Sequence, residues 1–533
     1  MKGEEIMKKL SRLLLTAFTL SALLVSCGST AKNCSGNVVT QVPAYEPVVV
    51  AEKDMIPQLP VIRINSTKNG GSNDFVAEPV AKHVVEAQMS WWDFSNKDKP
   101  EPWYEECAIS TQNSNGEILL DGVAGQVKVR GNWTTNYAKK SLRIKFDKKQ
   151  AMLGLHENQK YKNWVLLACW KDASLMRDAV AFEMFNTMFP DYYSSEGKLV
   201  DVYINNEYWG VYLLAEQQET KEGRIEISEA EKNYAGTDIG YLIEFDSYYT
   251  TEDKNEQFTI DYQNVEGFEG IKGYDNQRIK EQLQRGYTIK SDVYDEAQKN
   301  FIQDYMNKLW KICYSAAYKN KYYQFTDDFE LEEFVPAGAT ADEQCQNCIS
   351  KIIDLKSLAD MYIFNEIVCD PDIYLTSFFM DIDFGKDGDK ILKFEAPWDF
   401  DSTMGNKRHC ANGQGMFAGV TGYEVNYERQ GTGNPWMFVF IRSGWFQKLV
   451  KDEWTRVKAT DPAGTAEYLI LSYADCASSF ENNRSRWGNP SQDWELCEAS
   501  SAAAATSQKA SAEYLRDWLR IRIANVDEII RGL

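Results

Sequence analysis

The sequence predicts an α+β fold of two lobes, strand-rich in its first half and helix-rich in its second. Three observations carry this. Between residues 59 and 245, apolar side chains recur at every second position in short runs broken by Gly, Asn and Asp, as in half-buried strands. From about residue 295 the spacing changes to three and four, the period of a helix with one buried face. One hairpin-like stretch, 376–400, interrupts the helical half and ends in two aspartates. Strands followed by helices, rather than alternating with them, is the α+β order.

Residues 59–65 alternate and open the folded domain, and 69–74 is a turn cluster. Residues 127–132 read as a strand entering a turn, 141–146 as its partner, and 163–168 as a buried strand or core run. Asp172 and Ser174 offer N-caps to a helix with Leu175, Ala179, Phe182, Phe185 and Phe189 on one side. Two apolar runs, 199–204 and 208–214, flank Asn205-Asn206-Glu207 and predict a β-hairpin. Residues 239–245 are another strand. In the helical half, Ile302, Tyr305, Leu309, Ile312 and Ala316 share a face, and a second helix runs from near Asp354 to about Val368. The chain closes on a helix bearing Leu515, Leu519, Ile523, Val526, Ile530 and Leu533. No internal repeat is evident, and 500–507 is a low-complexity run.

The N-terminus has a basic start at Lys8, Lys9 and Arg12, an apolar run too short for a membrane span, and Leu24-Val25-Ser26-Cys27, which resembles a bacterial lipobox. That resemblance implies cleavage before Cys27, lipid attachment there, and export to the periplasmic or extracellular face with the lipid as the only membrane contact. Residues 1–27 are thus expected as signal peptide, 28–55 as a flexible tether, and 56–533 as the folded domain. No other apolar run approaches 18 residues. The net charge of −21 excludes a basic nucleic-acid footprint. Three histidines argue against a His-rich metal site and leave few candidates for a Ser/His/Asp triad. Of 11 cysteines, Cys169 and Cys369 lie in apolar runs as buried thiols, and Cys345-x-x-Cys348 reads as a short-loop disulfide or half of a metal site.

The chemistry concentrates in Pro397-Trp398-Asp399-Phe400-Asp401, after a strand at 391–394. At period two, both carboxylates project to one side of a strand end, where two hard oxygen ligands suit a magnesium ion that also holds phosphate oxygens. The alternative is a polar turn in which Asp401 caps the next segment. Asp370 and Asp372, between a helix and a strand, are a second acidic pair or merely loop residues.

Four segments stand out in order: Val129-Arg130-Gly131-Asn132-Trp133-Thr134 with the Lys139–Lys140 strand after it; the hairpin from Val202 to Glu216; Asn365 to Asp370 with Ser377-Phe378-Phe379-Met380; and Trp398-Asp399-Phe400-Asp401 with Gly405. Together they resemble the spore-coat CotH kinase family. The match runs in order over 125–406. It implies an atypical protein-kinase-like two-lobed fold and ATP-dependent phosphoryl transfer to Ser or Thr of a protein substrate, with Mg²⁺ or Mn²⁺. On that reading Asp399 is the main metal ligand and Asp401 the second. Asp370, ahead of Asp372, is the catalytic carboxylate. Arg130, Lys140 and Lys145 are cations for the nucleotide, and Glu216 pairs with a lysine or holds a second metal. Lys145 and Arg143 share one strand face while Lys140 takes the other, so not all can serve. Structural alternatives stand beside each role: a turn at Arg130, a solvated lysine edge at Lys139 and Lys140, an ion pair at Glu216. Arg177 is left outside the site. Gly131 is the only glycine of its loop, and no H-R-D motif exists, so a phosphate cradle must rely on side-chain cations.

Two other functions compete. A non-catalytic surface lipoprotein would bind glycans or proteins, stacking sugars on Trp91, Trp92, Trp103, Trp133 and Trp209; such a module has no need of the acidic pair. A glycoside hydrolase using two carboxylates leaves the lysine-rich strand unexplained.

Overall fold

Seven strands close a barrel. They are β1 (Val61–Ser66), β2 (Glu105–Gln112), β3 (Ile118–Val129), β4 (Leu142–Gln150), β5 (Tyr161–Leu167), β6 (Gly197–Ile204) and β7 (Glu207–Glu216), in the order β1-β2-β3-β4-β5-β7-β6. The computed structural model describes residues 38–89, 98–279, 285–407, 410, 412–423, 430–488 and 507–533. Cys27 and its signal segment, Cys34, Trp91, Trp92, His409, Cys497 and the run 500–506 lie outside the described residues. Gly36–Leu533 form one compact unit.

Period-two alternation sorts the barrel side chains. Ile62, Ile64, Val127, Val129, Leu142, Ile144, Trp164, Leu166, Val202 and Leu214 fill its interior. On one side the outward positions are apolar too: Val165, Leu167, Leu199, Val211 and Leu213 join the main core with the helices. On β3 and β4 the outward positions are instead Lys128, Arg143 and Lys145, with Arg130 just beyond β3. The β6–β7 hairpin turns as expected, with Asn205 and Asn206 at φ 47° and 66°, the left-handed pair of a two-residue turn.

Helix α1 (Arg177–Met188) starts later than its sequence signals suggest, because Leu175 sits at φ 60°. Asp172 still caps it from a distance, accepting from the amides of Met176 at 3.0 Å and Arg177 at 2.8 Å. A second sheet, in the order β13-β8-β10-β9, combines β8 (Gly240–Asp246), β9 (Gln257–Thr259), β10 (Gly286–Ile289) and β13 (Phe378–Asp383), and β11 (Tyr323–Phe325) with β12 (Leu331–Glu333) makes a small ribbon. Around them lie α2 (Glu296–Lys319), α3 (Leu355–Val368), α4 (Gly444–Lys458), α5 (Pro462–Ser472), α6 (Ala477–Trp487) and α7 (Gln508–Gly532). A full capping box of Asp295 and Gln298 starts α2, and Asp354 caps α3 through the Ser357 amide at 3.0 Å. Cys345 and Cys348, in the short helix Ala341–Ile349, are buried thiols rather than a disulfide, and Cys169 and Cys369 are buried too.

One interaction fixes the end of α3. Arg522 of α7 and Glu366 of α3 are fully buried and paired at 2.6 Å. The same guanidinium donates to the Glu366 carbonyl at 2.9 Å and the Gly415 carbonyl at 2.6 Å, while the Glu366 carboxylate accepts from the amides of Phe417 at 2.7 Å and Ala418 at 2.8 Å. A cation thus meets a carbonyl in the last turn of α3, where the helix dipole is negative.

Two expectations are revised. The stretch 391–394 is not a strand but a pair of isolated bridges, Leu392 to Ile353 and Lys393 to Asp381. Beyond it Ala396 at φ 59° and Asp399 at φ 70° leave the extended region, so strand alternation does not carry through to Asp399 and Asp401. The expected tether is, from Val39 on, held against the helical region. Asn525 of α7 accepts from the Val39 amide and donates to its carbonyl, both at 2.9 Å, and the Ile56 amide reaches the Ser472 carbonyl at 2.9 Å. No helix among the described residues is long and apolar enough to cross a membrane.

Candidate functional site

Two loops bring four carboxylates together. α3 ends at Cys369, which turns the chain at φ 54°, so Asp370 and Asp372 follow at once. The Met404 amide bonds the Val368 carbonyl at 2.9 Å and draws the 399–404 loop against this turn. The Asp370 carboxylate is buried and accepts from the Asp372 amide at 2.9 Å. Asp372 and Asp399 are half-exposed. Burial, then Asp372, holds the Asp370 carboxyl well above its usual range; burial, then Asp401 and Asp372, does the same to Asp399. The Asp399 carboxylate accepts no hydrogen bond among the described residues. Left-handed residues crowd these loops (Cys369, Ser377, Ala396, Asp399 and Met404), as is common where local strain serves a site.

The cation at the centre is Lys171, which the sequence reading did not single out. Its ammonium lies 2.8 Å from Asp401 Oδ1 and 2.8 Å from Ser402 Oγ. Burial works against its charge, but Asp401, Asp399 and Asp372 outweigh it and raise its pKa. The segment around it interlocks with the 399–406 loop. Asn406 Nδ2 donates to the carbonyls of Lys171 at 2.8 Å and Asp401 at 2.6 Å. Arg177 donates to the carbonyls of Thr403 at 3.1 Å and Met404 at 3.2 Å, and pairs with Asp172. Asp178 accepts from the Phe400 amide at 2.8 Å, and burial followed by Asp401 pushes its carboxyl up to about 7. A signal for this existed: Lys171, Asp172, Arg177 and Asp178 sit in an otherwise apolar stretch, and charges of that kind are buried only with partners.

Of the expected cations, Arg130 comes closest to the carboxylates. Burial lowers its pKa against the opposing field of Asp399, and its guanidinium lies 5.4 Å from the Trp398 ring. Gly131 behind it has φ 109°, and a Cβ there would collide with the Thr134 hydroxyl. Lys145 is exposed, 5.8 Å from the Tyr104 ring. Lys140 is not brought to the carboxylates: its ammonium is buried and donates to the carbonyls of Thr135 at 2.6 Å and Tyr137 at 2.8 Å. Lys139 is buried as well, on the carbonyls of Ala168 at 2.9 Å and Val211, and burial brings its pKa down to about 7. The pair is therefore no solvated edge; both heads brace the loop.

Glu216 likewise stands in an ion-pair cluster of its own. It is fully buried, 3.3 Å from Arg224 Nε and 3.4 Å from His156 Nδ1, and it accepts from the Glu196 amide at 3.1 Å. Arg224 stacks 3.7 Å from the Tyr161 ring. The Glu216 carboxylate beside His156 raises its pKa above 6.5. The stability this pair contributes is full below that value and is lost as pH rises through the raised pKa. Melting temperatures from about pH 6 to about pH 9 are therefore expected to fall more steeply for the wild type than for His156→Gln. Parallel profiles for the two would rule the pair out as a pH-dependent contributor.

The second sheet faces the turn that follows Asp370 and Asp372. Glu244 accepts from the Ser377 amide at 2.9 Å and the Thr376 hydroxyl at 3.1 Å, and Lys290 pairs with Glu244 at 2.9 Å. A narrow crevice of about 10 Å³, room for about one water, lies beside Asp370, lined in part by Asn365, Ser377, Pro397, Trp398 and Phe400.

Among the described residues no three His, Cys, Asp or Glu side chains converge on one metal-sized point. Asp399 and Asp401 instead form a two-carboxylate set with one member unengaged. That donor set fits magnesium, which is commonly held by one or two carboxylates with phosphate oxygens and water completing its shell. Residues 127–526 match the family model described as CotH kinase protein. The chain matches none of the curated proteins searched.

Proposed function

The chain belongs to the CotH kinase family, and from that premise we propose that it is an atypical protein kinase transferring the terminal phosphoryl group of ATP to a Ser or Thr hydroxyl of a protein substrate. The observation that carries this reading is the opposition of two charge sets. Asp372, Asp399 and Asp401 act on Lys171, with Asp370 beside them, and Arg130, which makes no ion pair among the described residues, meets the field of Asp399 from the barrel. Phosphoryl transfer asks for little covalent chemistry from the protein and much positioning and charge neutralisation.

In this reading the barrel and the helical region are the two lobes of a kinase-like fold. Asp399 and Asp401 would hold the metal, which when bound neutralises charge on the phosphates. Lys171 keeps Asp401 aimed by its 2.8 Å contact, and Arg130 meets phosphate oxygens. Asp372, half-exposed, is the carboxylate that reaches the acceptor hydroxyl, while buried Asp370 fixes the turn through the Asp372 amide. Lipidation at Cys27 and export would place this activity at the cell surface.

The test is calorimetry of the purified protein with ATP and Mg²⁺ or Mn²⁺. Saturable binding that requires the metal is expected. Absence of binding with either metal, in a sample shown to be folded, would remove the catalytic reading.

A further inference from the structure

Lys128 of β3 and Arg143 of β4 are register partners, directly opposite each other on the outward face of the barrel. Arg130 lies two residues along one strand and Lys145 two along the other, so four cations form one stripe. Like charges directly opposed on neighbouring strands destabilise a sheet. The fold nonetheless half-buries Lys128, Arg130 and Arg143. None of the four side chains makes an ion pair or hydrogen bond among the described residues, and Arg143 Nε is buried with no partner at all. Their close neighbours are rings: Tyr104 lies 4.9 Å from Lys128. Burial, then Arg143 and Arg130, lowers the Lys128 pKa. In a chain of net charge −21, carboxylates are in surplus, yet among the described residues none comes within ion-pair distance of this stripe; Asp399 and Glu252 reach Arg130 and Lys128 only through their field.

We propose that Lys128 and Arg143, next to Arg130, form a binding site for phosphoryl oxygens. The charge count favours phosphate over a carboxylate. A phosphate group brings up to about two negative charges and three strong acceptors, enough for an arginine fork and a lysine together. A single carboxylate would leave the repulsion largely in place. Two sources share this chemistry: the polyphosphate chain of the nucleotide, which rests on the kinase reading, and a phosphate already carried by the acceptor.

The experiment uses inorganic pyrophosphate as probe, with thermal melts and calorimetry on the wild type, Lys128→Met, Arg143→Met and Arg143→Lys. Without ligand, the two methionine variants should melt at or above the wild-type temperature, since repulsion is removed. Each should bind pyrophosphate at least about tenfold more weakly, the loss of one charge-assisted contact. Arg143→Lys keeps the charge, and with it the wild-type fold, and should lose less. Wild-type-like binding by both methionine variants, or no binding by the wild type, overturns the site. Competition between pyrophosphate and ATP identifies the nucleotide chain as source; additive binding identifies a separate phosphate. Pyrophosphate binding through these residues with no ATP binding leaves the site standing and removes the kinase reading.

Discussion

Asp399→Asn is expected to abolish metal-dependent nucleotide binding and phosphoryl transfer while leaving the protein folded and no less stable. The two halves of that result have separate causes. The carboxylate accepts no hydrogen bond among the described residues, so the amide forfeits none. Burial, Asp401 and Asp372 raise its pKa, so its charge is a burden on the fold that asparagine does not carry. Removing that burden should hold or raise the melting temperature. Function moves the other way, because an amide is a poor ligand for a hard dication. A metal contributes several kcal/mol to the transition state, so a loss of about a thousandfold or more in transfer rate is expected. Transfer retained to within about tenfold would show that Asp399 does not hold the metal.

Arg522→Ala should have the largest effect on stability of any single substitution considered. It leaves the fully buried Glu366 without its cation and the carbonyls of Glu366 and Gly415 without their donor. Removing one partner of a buried pair typically costs about 3–5 kcal/mol, mostly the penalty of the charge left behind. Urea unfolding monitored by fluorescence measures it. The double change Arg522→Met with Glu366→Gln should recover part of the loss, though not all, because the Phe417 and Ala418 amides lose a carboxylate acceptor. A single-variant cost below about 1 kcal/mol would mean that water reaches Glu366 and solvates it.

The legible parts of the fold were those with local signals. The Asn205-Asn206 turn, the Asp295 and Asp354 caps and the alternation of β4 were all readable, because each rests on residues within a few positions of one another. Barrel closure was not, since nothing local to β1 announces a partner in β6. The acidic residues were found from their sequence, but strand alternation is not what makes them converge. Asp399 and Asp401 meet through a left-handed kink instead. Lys171 and Asp178 escaped notice because their partners lie more than two hundred residues away. Lys140 was expected at the nucleotide because a lysine's charge is visible in sequence, whereas the carbonyls of Thr135 and Tyr137 that engage it are not.

The parallel seam between β1 and β6 governs the order in which the molecule can assemble. β1 leaves the ribosome before the other six barrel strands, and β2 can pair with it soon afterwards. Its other edge stays open until Asp201 arrives opposite Val61. Closing so long a loop is entropically slow, and contacts of this separation lengthen folding times. Until then Ile62 and Ile64 lie on an unsealed sheet that another chain can extend. The matched family region begins at residue 127, inside β3, so a fragment cut to that boundary would lack β1 and β2. It would keep every acidic residue of the site and yet present two raw edges, at β3 and β6. Such a fragment should aggregate during synthesis rather than lose activity cleanly.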